Sequence, residues 1–254
     1  MKKLVVSLMV MGAFLLSACG KEEAVTAGSN TESVLVVGTN AEFPPFEYIG
    51  DNGEPDGFDI ALIKAIGAKI GKDVEILNLE FSSLVESIGS KIDVAIAGMT
   101  VTDERKNAVD FSDPYYEAVQ FVIVPEGSAI ATMADLEGLT IGVQLGTTGD
   151  FIVDEDIEGA TAAQYNKGVD AVNDLIAGRV DCIIIDKNPA LVFADKFAGQ
   201  IVALDGSGFG FEPEFYAIAI KKGDTELAGK INQALKDLKA DGTFDALVKQ
   251  YIED

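Results

Sequence analysis

Histidine and tryptophan are absent from this 254-residue chain, and arginine and cysteine occur only twice each. Each shortage excludes something. Without histidine there is no Ser-His-Asp or Cys-His nucleophile, no imidazole acid or base, and no imidazole ligand for a metal. The 19 basic residues face 42 acidic ones, a formal net charge of −23. Such a chain has no basic face for nucleic-acid phosphates or for an anionic membrane surface. The charge suits solubility outside a cell. Cysteine is too scarce for a disulfide framework, and no cofactor or metal site is legible.

The first eighteen residues form a separate object. MKK is a positive start, LVVSLMVMGAFLL an apolar run, and small residues follow. This pattern is a secretory signal, too short for a stable membrane span. Its ending, Leu16-Ser17-Ala18-Cys19, resembles a bacterial lipobox, which implies cleavage before Cys19 and a lipid anchor there, palmitate included. The alternative is an ordinary secreted protein with a free Cys19. Cleavage removes Lys2 and Lys3, which leaves 17 basic against 42 acidic residues, a net charge of −25. Residues 19–33 read as a flexible tether with almost nothing to bury. Cys182, inside VDCIIID, reads as a small buried hydrophobe.

From Val34 onward, short Val/Ile-rich runs alternate with amphipathic stretches. VLVVGT (34–39), DVEILNL (73–79) and DVAIAG (93–98) read as strands, with GFDIALIKAIGAKIG (57–71) and FSSLVESIGS (81–90) as helices. A second series follows FVIV (121–124): strands at 139–144, 161–165, 180–185, 201–204 and 216–220, and a helix at 170–179. Two helices close the chain. The alternation predicts an α/β protein with mostly parallel sheets, in two units of about a hundred residues each.

Open α/β sheets bind ligands beyond the carboxyl ends of their strands. The residues at those ends are Asn40 and Phe43 after 34–39; Gly98, Met99, Thr100 and Arg105 after 93–98; Gly146, Thr147 and Thr148 after 139–144; and Asp186 after 180–185. A guanidinium grips a carboxylate through two parallel bonds, N–H groups at a helix start add anion donors, and an aspartate accepts from an ammonium. The set suits a zwitterion, and the threonine hydroxyls can orient either end. Bland alternatives exist for each. Thr102 is a helix N-cap, with Asp103 and Glu104 complementing the helix dipole. Arg105 could pair with Asp103, Asp110 or Asp113; Asp186 could cap the segment after it; the GTTG run could be a simple turn; and the phenylalanines could be core.

At these residues the chain resembles the family 3 extracellular solute-binding proteins, the amino-acid receptors of ABC importers. GTNAEFPPFEY, GEPDGFDIALIKAIG, FSSLVESI, DVAIAGMTVTDERK, VDFSDPYYEA, DLEGLTIGVQLGTTGD, LIAGRVDCIIID and DGTFDALVKQY carry the likeness. It implies a two-lobed, type II periplasmic-binding-protein fold with two crossover hinges, near 118–122 and 213–217. Lobe 1 would be 34–118 plus 219–254, and lobe 2 would be 119–218. Arg105 matches the carboxylate clamp, assisted by Thr100 and by backbone at Gly98 and Thr148. Asp186 matches the acceptor of the α-ammonium, and Phe43 and Phe81 the aromatic pair around the ligand side chain. Gln144 and Met99 match pocket positions. Asn40 stands where basic-amino-acid binders often carry aspartate, so Glu42 is the candidate for a missing charge.

The resemblance implies a monomeric, extracytoplasmic receptor, held by lipid at the bacterial cell membrane or free in a periplasm, that passes a polar or basic L-amino acid such as arginine, lysine or glutamine to importer subunits. Two alternatives accompany it: a cyclohexadienyl-dehydratase-like enzyme on the same fold, and a free co-receptor for a sensor.

Overall fold

Valine- and isoleucine-rich runs build two five-stranded sheets in the structure, a computed structural model that describes residues 34–253. The expectations for the signal segment, Cys19 and the tether lie outside the described residues. In the first sheet, Val34–Thr39 pairs in parallel with Asp73–Asn78 and with Val94–Ala95. Ala219–Lys221 then joins antiparallel, between Val94–Ala95 and Val109–Phe111. In the second, Thr140–Gln144 pairs in parallel with Thr161–Tyr165 and Cys182–Asp186. Gln120–Pro125 lies antiparallel between Cys182–Asp186 and Ile201–Leu204.

The sheets are therefore mixed, where mostly parallel ones were expected. Each contains a strand that arrives from the other sheet's side of the chain, and that strand enters antiparallel. Between the sheets, Tyr116–Ala118 and Glu214–Tyr216 form an antiparallel ribbon where the chain passes across and returns. This is the expected two-lobed α/β architecture with two crossovers.

Helix Phe58–Ile70 covers the first sheet. Its apolar positions Phe58, Leu62, Ile63 and Ile66 recur at helical spacing and are all fully buried. Gly71, in the left-handed conformation, ends it by returning its N–H to Ala68. The long helix Thr225–Ala240 buries Ile231, Ala234, Leu235 and Leu238 in the same core, and Phe244 meets Phe58 edge-on at 5.7 Å. Cys182 is fully buried in the second sheet, and burial pushes its thiol up to about 12. No helix among the described residues is long and apolar enough to cross a membrane.

Three segments differ from expectation, each for a local reason. FSSLVESIGS forms a 3₁₀ turn, Phe81–Ser83, and one α-turn, Leu84–Ser87. The strand in DVAIAG shrinks to Val94–Ala95 because the chain turns at Gly98, whose φ is 52°. YAIAI splits between ribbon and sheet, and the Ala217 N–H crosses to the Met99 carbonyl.

Gly57 shows how tightly the helix start is seated. Its φ is 120°, and a Cβ there would lie 2.3 Å from the Phe46 carbonyl oxygen. Gly57→Ala combines a forbidden backbone conformation with a backbone clash. We expect it to lower unfolding free energy by at least about 2 kcal/mol, read from urea transitions of the protein.

Candidate functional site: a cavity between the lobes

Thr102 caps the short helix Asp103–Ala108, its hydroxyl accepting from the Arg105 N–H at 3.1 Å, as the sequence predicts. The cap sends the Arg105 side chain inward. There Nη1 donates to the Thr100 carbonyl at 2.7 Å and Nη2 to the Gly146 carbonyl at 2.9 Å, one oxygen from each lobe. The guanidinium lies over Phe81, 5.3 Å from the ring centre, and the residue is 8 % exposed. No carboxylate among the described residues forms an ion pair with it, although Glu214 and Asp186 act on it at longer range: Asp103 pairs with Lys106 and Asp110 with Lys222. Burial lowers its pKa, and a buried guanidinium without a counter-ion is costly. The site calls for an anion.

Further donors converge there. Thr147 caps helix Thr148–Asp156, and the Thr148 N–H opens that helix without an acceptor among the described residues. The Thr100 N–H is likewise unmatched, because its neighbours Val101 and Ala217 make the bonds to the ribbon and to Met99. The N–H of Gly98, by contrast, is committed to Asp59 Oδ2 at 2.8 Å. Gly98 contributes bare backbone instead: a Cβ there would press on the Phe43 ring at 2.8 Å.

Asp186 ends strand Cys182–Asp186 and is 7 % exposed. Tyr216 Oη donates to its Oδ1 at 2.5 Å. Burial first, and the nearby Glu214 second, push its carboxyl up to about 7. An ammonium at this position would relieve both effects.

The remaining wall is an acceptor wall. Gln144 Nε2 donates to Asn40 Oδ1 at 2.8 Å and to the Asn166 carbonyl at 3.0 Å, and Asn40 Nδ2 to the Leu79 carbonyl at 2.8 Å. These bonds leave the Gln144 carbonyl oxygen without a protein donor. Glu47, on strand Glu47–Ile49, is fully buried, and no protein N–H or hydroxyl reaches either of its oxygens. Its polar neighbour is Asp59, itself fully buried, whose Oδ2 takes Gly98 N–H and Tyr115 Oη. Two carboxyls bond only by sharing a proton. Burial, then Asp59, holds Glu47 well above the usual carboxylate range, and burial pushes Asp59 up to about 6.

Asn40, Phe43, Phe81, Gly98, Thr100, Arg105, Gln144, Thr147, Thr148 and Asp186 thus line one cavity, together with Glu47 and Ala97. Met99 does not line it; the side chain packs into the core with Leu84 and Ile92. Glu42 is not the missing charge either, because it pairs with Lys167 at 2.6 Å outside the cavity. Sequence reasoning missed Glu47. Its one signal was an acid inside the aromatic run FPPFEY, where a solvated face was not to be expected.

The cavity thus brings one guanidinium and two carboxyls together between the two lobes. The sequence profile of the bacterial extracellular solute-binding proteins, family 3, matches residues 35–254, and the chain belongs to that family. Arginine-binding extracellular protein ArtP of Bacillus subtilis (strain 168) is 34% identical over 250 residues, covering 94% of this chain and 92% of its own. A probable histidine-binding protein of Neisseria gonorrhoeae is 31% identical over 261 residues, covering 99% and 96%. Among solved structures, an ancestral arginine-binding protein bound to glutamine superposes with a TM-score of 0.82 at 40% identity, covering 87% of this chain and 99% of its own.

The raised carboxyls set the sign of the pH dependence. Asp59 releases its proton near 3.8 in an unfolded chain and near 6 here. The folded state therefore holds a proton that the unfolded state has lost, and stability falls as pH rises through that window, by up to about 1.4 kcal/mol per pH unit. Protein refolded from denaturant, which strips bound ligand, should melt at falling temperature from pH 4 to 6, and Asp59→Asn should flatten the fall.

Proposed function

We propose that the cavity takes a free L-amino acid with a cationic side chain, arginine ahead of lysine or glutamine. The protein is an amino-acid receptor for an ABC importer. The α-carboxylate sits on Arg105 and the N–H groups of Thr100 and Thr148, and the α-ammonium on Asp186. The observation that carries the choice of side chain is Glu47, a buried carboxyl on the cavity wall with no protein donor. Beside it the Gln144 carbonyl adds a second acceptor. A guanidinium offers only donors and matches that wall, whereas a glutamine amide brings an acceptor of its own. Charge supports the same reading: once Glu47 gives up its proton, Glu47 and Asp186 outnumber Arg105 in the cavity, and a ligand of net positive charge neutralises that surplus. Phe43 and Phe81 give the side chain flat walls. The arginine-binding relatives agree with it.

The acids are matched to ligand charges, which fits a receptor and not an enzyme. In this reading lobe 1 comprises residues 34–118 and 219–254, and lobe 2 residues 119–218. The ligand docks on lobe 1 and closure brings Asp186 and Thr148. The mature protein works as a monomer on the outer face of the cell membrane, held by lipid on Cys19 after removal of residues 1–18.

Calorimetry tests the assignment. Arginine should bind with release of a proton from Glu47, seen as a heat that depends on buffer ionisation enthalpy. Glu47→Gln should abolish the release and weaken arginine by roughly 100-fold, with glutamine affected far less. Unchanged arginine affinity in Glu47→Gln would sink the side-chain assignment.

A further inference from the structure

Glu214 stands on the crossover ribbon, outside the cavity lining, yet it holds two of the lining residues. Thr100 Oγ1 donates to Glu214 Oε2 at 2.6 Å, and Thr148 Oγ1 donates to the same oxygen at 2.8 Å. Gln120 Nε2 donates to Glu214 Oε1 at 3.3 Å and to Thr148 Oγ1 at 3.0 Å. Thr100 follows the first sheet, Thr148 follows the second, and Glu214 and Gln120 lie where the chain crosses between them. A single carboxylate oxygen therefore ties both lobes to the connection.

The direction of these bonds has a chemical consequence. A hydroxyl has one proton and two lone pairs, and a carboxylate only accepts. Both threonine protons consequently point at Glu214, away from the cavity. Thr100 keeps its lone pairs for a ligand, and Thr148 keeps one, the other taking Gln120. Neither hydroxyl can donate to a ligand carboxylate. Both can accept from an ammonium in the cavity that Asp186 also lines. By sequence alone the threonines could have served either end of a zwitterion; Glu214 removes one of the two options.

We propose that Glu214 is a positioning residue that fixes the Thr100 and Thr148 hydroxyls as acceptors for the α-ammonium of the ligand, and so makes the receptor discriminate for that group. Both hydroxyls meet at one oxygen only while the lobes are together, so the acceptor set is assembled by closure. The inference rests on the amino-acid reading above. Replacing the carboxylate by an amide breaks the arrangement: with its oxygen toward the two threonines its NH₂ group faces the Gln120 Nε2 donor, and turned the other way its NH₂ group drives both hydroxyl protons back toward the cavity, against the ammonium.

The test is a thermodynamic cycle with L-arginine and its deamino analogue, 5-guanidinopentanoate, titrated by competition into the wild type and Glu214→Gln. The variant should weaken L-arginine by roughly 10- to 100-fold, the range for a hydrogen bond to a charged group. It should leave the deamino analogue within about twofold, the usual limit of additivity. An equal loss for both ligands would make Glu214 a structural brace of the crossover and overturn the proposal, as would no loss for either. Should Glu214→Gln fail to fold, Thr100→Val removes one oriented hydroxyl and must show the same selective loss. A wild type that binds the two ligands equally well would refute the ammonium reading itself, and the proposal with it.

Discussion

A guanidinium removed from water without a counter-ion is the constraint around which this molecule is arranged. Arg105 is buried, lies on an aromatic face, and is held by one carbonyl from each lobe. Carbonyls orient a guanidinium but do not neutralise it. The neighbouring sequence serves that placement. Thr102, Asp103 and Glu104 start a helix whose first turn would otherwise disfavour a cation. Gly146, with φ of 78°, turns its loop so that the carbonyl reaches across to the other lobe. The guanidinium is thus held at the junction of the two lobes.

Around that charge the site is polar in the literal sense. One end collects N–H groups with nothing in the chain to receive them. The other collects oxygens: the Glu47 carboxyl without a donor, the Gln144 side-chain oxygen, and Asp186 with one hydroxyl from Tyr216. Elsewhere the acids behave in the opposite way: Asp241, against Lys69 and the Thr243 N–H, is lowered to about 2. Asp241 has a cationic partner in the chain, whereas Glu47 and Asp186 form no ion pair among the described residues.

Strand-helix alternation, the cap at Thr102 and the residues after each strand were legible because each rests on local pattern. Arg105 stood out by residue choice in a lysine-rich chain, and Asp186 by its place after an apolar strand. What escaped depends on long-range geometry. Glu47 looks like any acid near a turn until Asp59 and Tyr115, on other elements, enclose it. Glu42 seemed the better charged candidate by proximity to Asn40, but Lys167, 125 residues away, claims it. Met99 lies between two site residues, yet an extended chain turns alternate side chains apart, and this one faces the core. The mixed sheets were hidden for the same reason: strand direction is decided by where a crossover delivers the chain.

The crossovers also govern the order in which the protein can form. Ala219–Lys221 lies between Val94–Ala95 and Val109–Phe111, which have no ladder with each other. The first sheet stays interrupted at its middle until residue 221 has been synthesised, however early its other strands emerge. Loop closure over so long a stretch is slow. A chain whose first sheet waits for residue 221 keeps that sheet open for longer than one whose strands pair in sequence order.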